Sequence, residues 1–168
     1  AFVEDYFPER GRIYSEPVLI YVLSNEEHAQ LKKAEFDRVI NDLEDIARKE
    51  LNMLDENQRL EKLDGKELQT EEGKDKLAEQ KRAEEENIRA MEELTKRMEQ
   101  LMKDTARNKN IDKETMKKMA EALKSMQELS DKEMPEVSEK LQEAGEESNT
   151  AEKSKEDVKK AVDEQKEV

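Results

Sequence analysis

Residues 36–54 read FDRVINDLEDIARKELNML, and this stretch decides the fold class. Phe36, Ile40, Leu43, Ala47 and Leu54 recur at steps of four, three, four and seven. Such spacing gathers side chains on one side of an α-helix and would scatter them over both faces of a strand. Asp, Glu, Arg and Lys fill the positions between, so the rest of the circumference is polar. The segment predicts a long amphipathic helix whose apolar stripe needs a partner.

Upstream, Ser24-Asn25-Glu26-Glu27 fits a capping box, with the Ser24 hydroxyl serving the Glu27 amide and the Glu27 carboxylate returning to the Ser24 amide. Downstream, Leu60 and Leu63 extend the stripe, and Asp64-Gly65 suits a stop with Gly65 in the left-handed conformation. The first helix is therefore expected over 25–64. A second is expected over 70–108, capped by Thr70, weakened at Gly73 by about 1 kcal/mol relative to alanine, and striped by Leu77, Ile88, Met91, Leu94, Met98, Leu101 and Met102. A third, over 112–145, starts at an Asp112 cap. Met116, Met119, Leu123 and Met126 alternate steps of three and four as a coiled-coil seam does. Val137, Leu141 and Ala144 resume that seam beyond Pro135, where a kink or restart is expected. After a polar linker at 146–150, a weak last helix over 151–168 places Ala151, Val158, Ala161, Val162 and Gln165 on one face.

The two long helices are each about 60 Å at 1.5 Å per residue, and the short loop near 66–69 makes them antiparallel neighbours. Folding back there sets Leu43 against Met91, Ile40 against Leu94 or Thr95, and Leu60 near Leu77. A two-helix seam buries little for so many ordered residues, so the third helix should return along the pair. The expected fold is mainly α: an antiparallel helical hairpin completed to a three-helix, coiled-coil-like bundle. The methionine stripe of the third helix is adaptable enough to serve a partner instead. Glu44/Arg48, Asp45/Lys49, Glu85/Arg89, Glu92/Lys96, Glu93/Arg97 and Glu156/Lys160 are acid-before-base pairs at helical spacing, each contributing about 0.2–0.5 kcal/mol.

Composition agrees with thin seams. Charged residues are 45% of the chain, apolar residues 33% and aromatics 4%, too little apolar material for a thick interior. A net charge of −14, with basic residues interleaved among acids, argues against nucleic acid and against anionic lipid as partners. The longest apolar run, Pro17 to Leu23, is far short of the roughly 20 residues that span a bilayer. Zero cysteines remove disulfide and thiol chemistry. His28, the single histidine, reads as a surface residue near a helix start and leaves structural zinc without ligands. There is no Glu-x-x-His pair for a di-iron bundle, no calcium loop and no phosphate loop. No catalytic residue, cofactor, metal or small-molecule substrate is expected.

Residues 1–23 have another character and hold five of the six Phe and Tyr residues. Ala1–Phe7 and Ile13–Leu23 read as strands about a turn at Pro8–Arg12. A lone hairpin is marginal in water, and the chain starts at Ala1 rather than Met, so a piece of a longer polypeptide is expected. Val3-Glu4-Asp5-Tyr6, Pro8-x-Arg10, Tyr14-Ser15-Glu16-Pro17-Val18 and Tyr21-Val22-Leu23-Ser24-x-Glu26-Glu27-His28 resemble the exit from an immunoglobulin-like domain. Similar junctions occur in large, membrane-anchored bacterial envelope proteins, where such domains precede long charged helices. The resemblance covers residues 1–31. It implies that residues 1–23 are the last two strands of a sandwich and that the helices lie outside the cytoplasm. The expected function is a non-catalytic structural or scaffolding segment that meets protein partners, or itself, through its helices. A regulatory or chaperone-like module binding through the methionine stripe is the alternative. The residues expected to form the helix seams are Phe36, Ile40, Leu43, Ala47, Leu54, Leu60, Leu77, Ile88, Met91, Leu94, Met98, Met116, Met119, Leu123 and Met126.

Overall fold

A computed structural model describes residues 2–3 and 11–168. Each long helix begins where cap chemistry dictates. The Ser24 hydroxyl accepts from the Glu27 N–H at 3.2 Å while the Ser24 N–H donates to the Glu27 carboxylate at 2.8 Å, and α1 runs Asn25–Glu61. Thr70 Oγ1 accepts from the Gly73 N–H at 3.1 Å, opening α3 (Glu71–Thr105). Asp112 accepts from the Thr115 N–H at 2.9 Å, opening α4 (Lys113–Glu128). These bonds satisfy amides that the first helical turn leaves without intrahelical partners.

The α1–α3 connection departs from expectation. α1 stops at Glu61, and the one-turn α2 (Gly65–Leu68) separates it from α3. Gly65 does not adopt a left-handed conformation, and neither does any described glycine. It is required for closeness: a Cβ there would lie 2.1 Å from the Ala151 carbonyl oxygen. Gly73 likewise lets α3 pass the backbone of α2, where a Cβ would lie 2.3 Å from the Glu67 oxygen.

α1 and α3 are antiparallel in the expected register. Lys32 bonds Asp104 at 3.1 Å, Arg97 pairs with Asp42, Asn87 donates to Glu50 at 2.8 Å, and Asn108 donates to the Asn25 carbonyl at 3.0 Å. Leu43 and Met91 sit in one apolar cluster.

The return leg is continuous across Pro135. A π-helical turn at Leu129–Glu133 joins α4 to α5 (Met134–Gly145). Proline lacks the N–H that an α-helix would bond one turn back, and the widened turn absorbs that loss just before it. The extra residue also resets the seam: Met126, Ser130 and Met134 are buried at steps of four, after which Val137, Leu141 and Ala144 resume the ordinary alternation.

The largest difference from the expected three-helix bundle is α6 (Ala151–Gln165). Expected to be weak, it is a full member. Val158, Ala161 and Val162 are buried with Leu60, Leu68, Leu77, Val137, Leu141 and Ala144. One half of the bundle therefore has four helices, α1, α3, α5 and α6. The other half has three, α1, α3 and α4, around Val39, Ile46, Met91, Leu94, Met98, Leu101, Met119 and Met126.

Of the expected N-terminal hairpin, the described residues show Phe2–Val3 (β1) paired antiparallel with Ile13–Tyr14 (β2). Phe2 lies opposite Tyr14, and the Arg12 guanidinium stands 4.8 Å from the Phe2 ring centre. Most of the first strand and turn expected there (Ala1 and residues 4–10) lies outside the described residues. The expected continuation of the second strand to Leu23 is not formed: residues 15–23 carry no regular structure, and Val22 is 91% exposed.

Candidate functional site

The core seam of α1 runs Val39, Leu43, Ile46, Glu50, Met53, Asn57 and Leu60, in unbroken steps of four and three. That of α3 runs Leu77, Gln80, Glu84, Asn87, Met91, Leu94, Met98 and Leu101. Polar residues thus occupy seam positions on both helices at the same level, and Gln165 of α6 meets them there. They form a buried polar layer between the two apolar clusters.

The layer is a connected network. The Asn57 amide donates to Gln165 Oε1 at 2.8 Å, the Gln165 amide donates to Glu50 Oε1 at 2.7 Å, and the Asn87 amide donates to Glu50 Oε2 at 2.8 Å. The Gln165 amide also reaches Glu84 Oε2 at 3.5 Å. Glu84 is 0% exposed. Burial, then repulsion from Glu50 and a hydrogen bond with it, push the Glu84 carboxyl up to about 9. At neutral pH Glu84 is therefore protonated, because burial next to another acid disfavours its charged form. Asn57 Oδ1, Glu84 Oε1 and Asn87 Oδ1 are buried without a hydrogen-bond partner. Among the described residues no group of three or more His, Cys, Asp or Glu is placed to hold a metal.

The expected seam residues divide into two sets. Leu60, Leu77, Met91, Leu94, Met98, Met119 and Met126 are buried, with Ile88, Met116 and Leu123 half-buried beside them. On α1, however, Ile40, Ala47 and Leu54 of the expected stripe lie to one side of the true seam. Phe36, Leu43 and Leu54 are half-buried, Ile40 is 40% exposed and Ala47 is exposed. Weighing only apolar residues passed over Val39, Ile46 and Met53, because Glu50 and Asn57 interrupt their stripe. The alternation of three and four continued through those polar residues would have found it.

The displaced stripe is consequential. Leu43, Ala47 and Leu54, with Leu51, which is 63% exposed, form one wall of an open groove of about 470 Å³. Leu129 and Met134 form the opposite wall, Val168 closes one end, and Glu50 and Gln165 reach it from the polar layer. A second groove of about 450 Å³ lies nearer the start of α1, between Phe36 and Met119. Both lie between α1 and the return leg, in the part of the bundle that α6 does not cover.

His28 is half-buried, with Nδ1 2.9 Å from the Asn108 amide nitrogen, and belongs to the tie between the start of α1 and the end of α3. No helix is long and apolar enough to cross a membrane, among the described residues. No family model, curated protein or solved structure matches the chain.

Proposed function

We propose that this chain is a non-catalytic scaffolding segment of a larger bacterial envelope protein, holding protein partners through helix–helix contact. The envelope setting rests on the junction resemblance of residues 1–31. The interaction role rests on one observation: α1 carries a second apolar stripe, Ile40, Ala47 and Leu51, that the chain's own helices leave uncovered. Scattered apolar residues on a surface need no explanation, but a lined groove along a helix does. Binding through the methionine stripe has less support, since Met119 and Met126 are consumed in the chain's own core.

The reading is tested by thermal unfolding of Leu51→Glu beside sedimentation velocity of the unaltered chain. A stripe kept for partners leaves the melting temperature of the variant within about 2 °C of the parent or raises it, because nothing in the folded chain depends on it. The unaltered chain should sediment as an elongated monomer. A fall of more than about 5 °C, corresponding to roughly 2 kcal/mol in a domain of this size, makes Leu51 part of the chain's own core and ends the proposal.

A further inference from the structure

We infer that the groove between α1 and the return leg receives a basic amphipathic helix from a partner protein, lying in line with α6. This rests on the interaction reading above and names the occupant. Three observations converge on it.

The first is continuity. α6 packs along the C-terminal part of α1 and ends at Gln165, and Val168 just beyond it contacts both core clusters. The groove opens there and follows the track that α6 leaves, along Leu54, Leu51, Ala47 and Leu43. A helix end to end with α6 would extend the four-helix arrangement into the three-helix half. The shape required is that of a helix presenting apolar residues at steps of three and four.

The second is the charge of the helix that carries the wall. α1 bears eleven acidic residues against six basic ones, within a chain of net charge −14. A second copy of this chain would bring the same sign of field and be repelled, whereas flanks rich in Lys and Arg are attracted. The third is the groove floor. Glu50 lies 7% exposed among apolar lining residues, and Lys166, the basic residue of the lining, is already paired with Asp163 at 2.9 Å. A carboxylate in the floor of a largely apolar groove favours a cation from the occupant.

The test uses the whole chain and two fluorescent 21-residue helical peptides sharing one Leu/Ile stripe, flanked by Lys in one and Glu in the other. Anisotropy titration at 150 mM NaCl should show the Lys-flanked peptide binding at least tenfold tighter. Leu51→Glu should weaken that binding at least tenfold. Its sign is diagnostic: adding an acid tightens a merely electrostatic association and weakens groove docking. Glu50→Gln should weaken binding of the Lys-flanked peptide at least threefold. Tighter binding of the Lys-flanked peptide to Leu51→Glu overturns the inference. Leu51-dependent binding of the Glu-flanked peptide also overturns it, yet leaves the helix-interaction reading standing. Binding of neither peptide removes both. Sedimentation as a dimer that Leu51→Glu dissolves assigns the groove to a second copy and overturns the inference.

Discussion

At the scale of single residues, Glu84 carries the clearest physical signature. Its carboxyl lies near 9 in the folded chain, against an ordinary value of 4.5. Between those values the folded chain keeps a proton that the unfolded chain has lost. This contribution to stability is therefore fully present below about 4.5, declines as pH rises toward 9 and is gone above it. Glu84→Gln retains an N–H donor toward Glu50 and cannot ionise. Urea unfolding followed by circular dichroism should find the variant within about 1 kcal/mol of the parent at pH 5 and more stable by about 1–3 kcal/mol at pH 9, the range of a buried polar group freed from an unfavourable charge. A difference that does not change with pH would remove the buried acid from the account. Polar seam residues of this kind restrict which helices can meet and in what register, so the layer suits a bundle whose apolar positions are otherwise interchangeable Leu and Met.

At the scale of elements, the decisive event is the seating of α6 against α2. Gly65 passes so near the Ala151 carbonyl that a methyl group has no room there, while Gly11 has nothing within 4 Å. Gly65→Ala should cost about 1–3 kcal/mol through a forced backbone shift, and hydrogen exchange should rise first in α6. Gly11→Ala serves as the silent control. Equal melting temperatures for the two variants would mean that α6 is not docked as described. The π-turn at Leu129–Glu133 works at the same scale: it carries the chain across Pro135 without a break and rotates α5 so that Val137 and Leu141 face α3 and α6.

At the scale of the whole molecule, two thin apolar clusters hold together a strongly acidic bundle. Met98, 1% exposed, sits in the larger cluster. Met98→Ala should cost about 2–5 kcal/mol by lost transfer energy and cavity formation, read from the urea midpoint. The surface ion pairs contribute little by comparison. Glu44–Arg48 at 4.0 Å and Glu156–Lys160 at 2.8 Å form as their spacing anticipates, whereas Asp45 turns to Arg48 and Arg97 reaches across to Asp42. With a net charge of −14 the folded chain repels itself. Raising NaCl from 10 to 150 mM shortens the Debye length to about 8 Å and should raise the melting temperature by a few degrees. A fall would show that attractive pairs outweigh the net repulsion.

Cap chemistry and loop length, both local to the chain, fix where the helices start and which way the first two run. Ser24, Thr70 and Asp112 act on amides three residues away, and a short loop leaves two long helices no neighbour but each other; both are local constraints, readable from spacing. The tertiary structure alone decided the membership of α6, the polar layer and the uncovered stripe. Glu50, Asn57, Glu84 and Asn87 look like surface residues until Gln165 arrives from a helix more than 75 positions beyond the last of them to supply amides and remove water. Ile40 and Ala47 look like core until α6 proves too short to cover them. Burial belongs to neighbours, and distant neighbours are not written in the spacing of one helix.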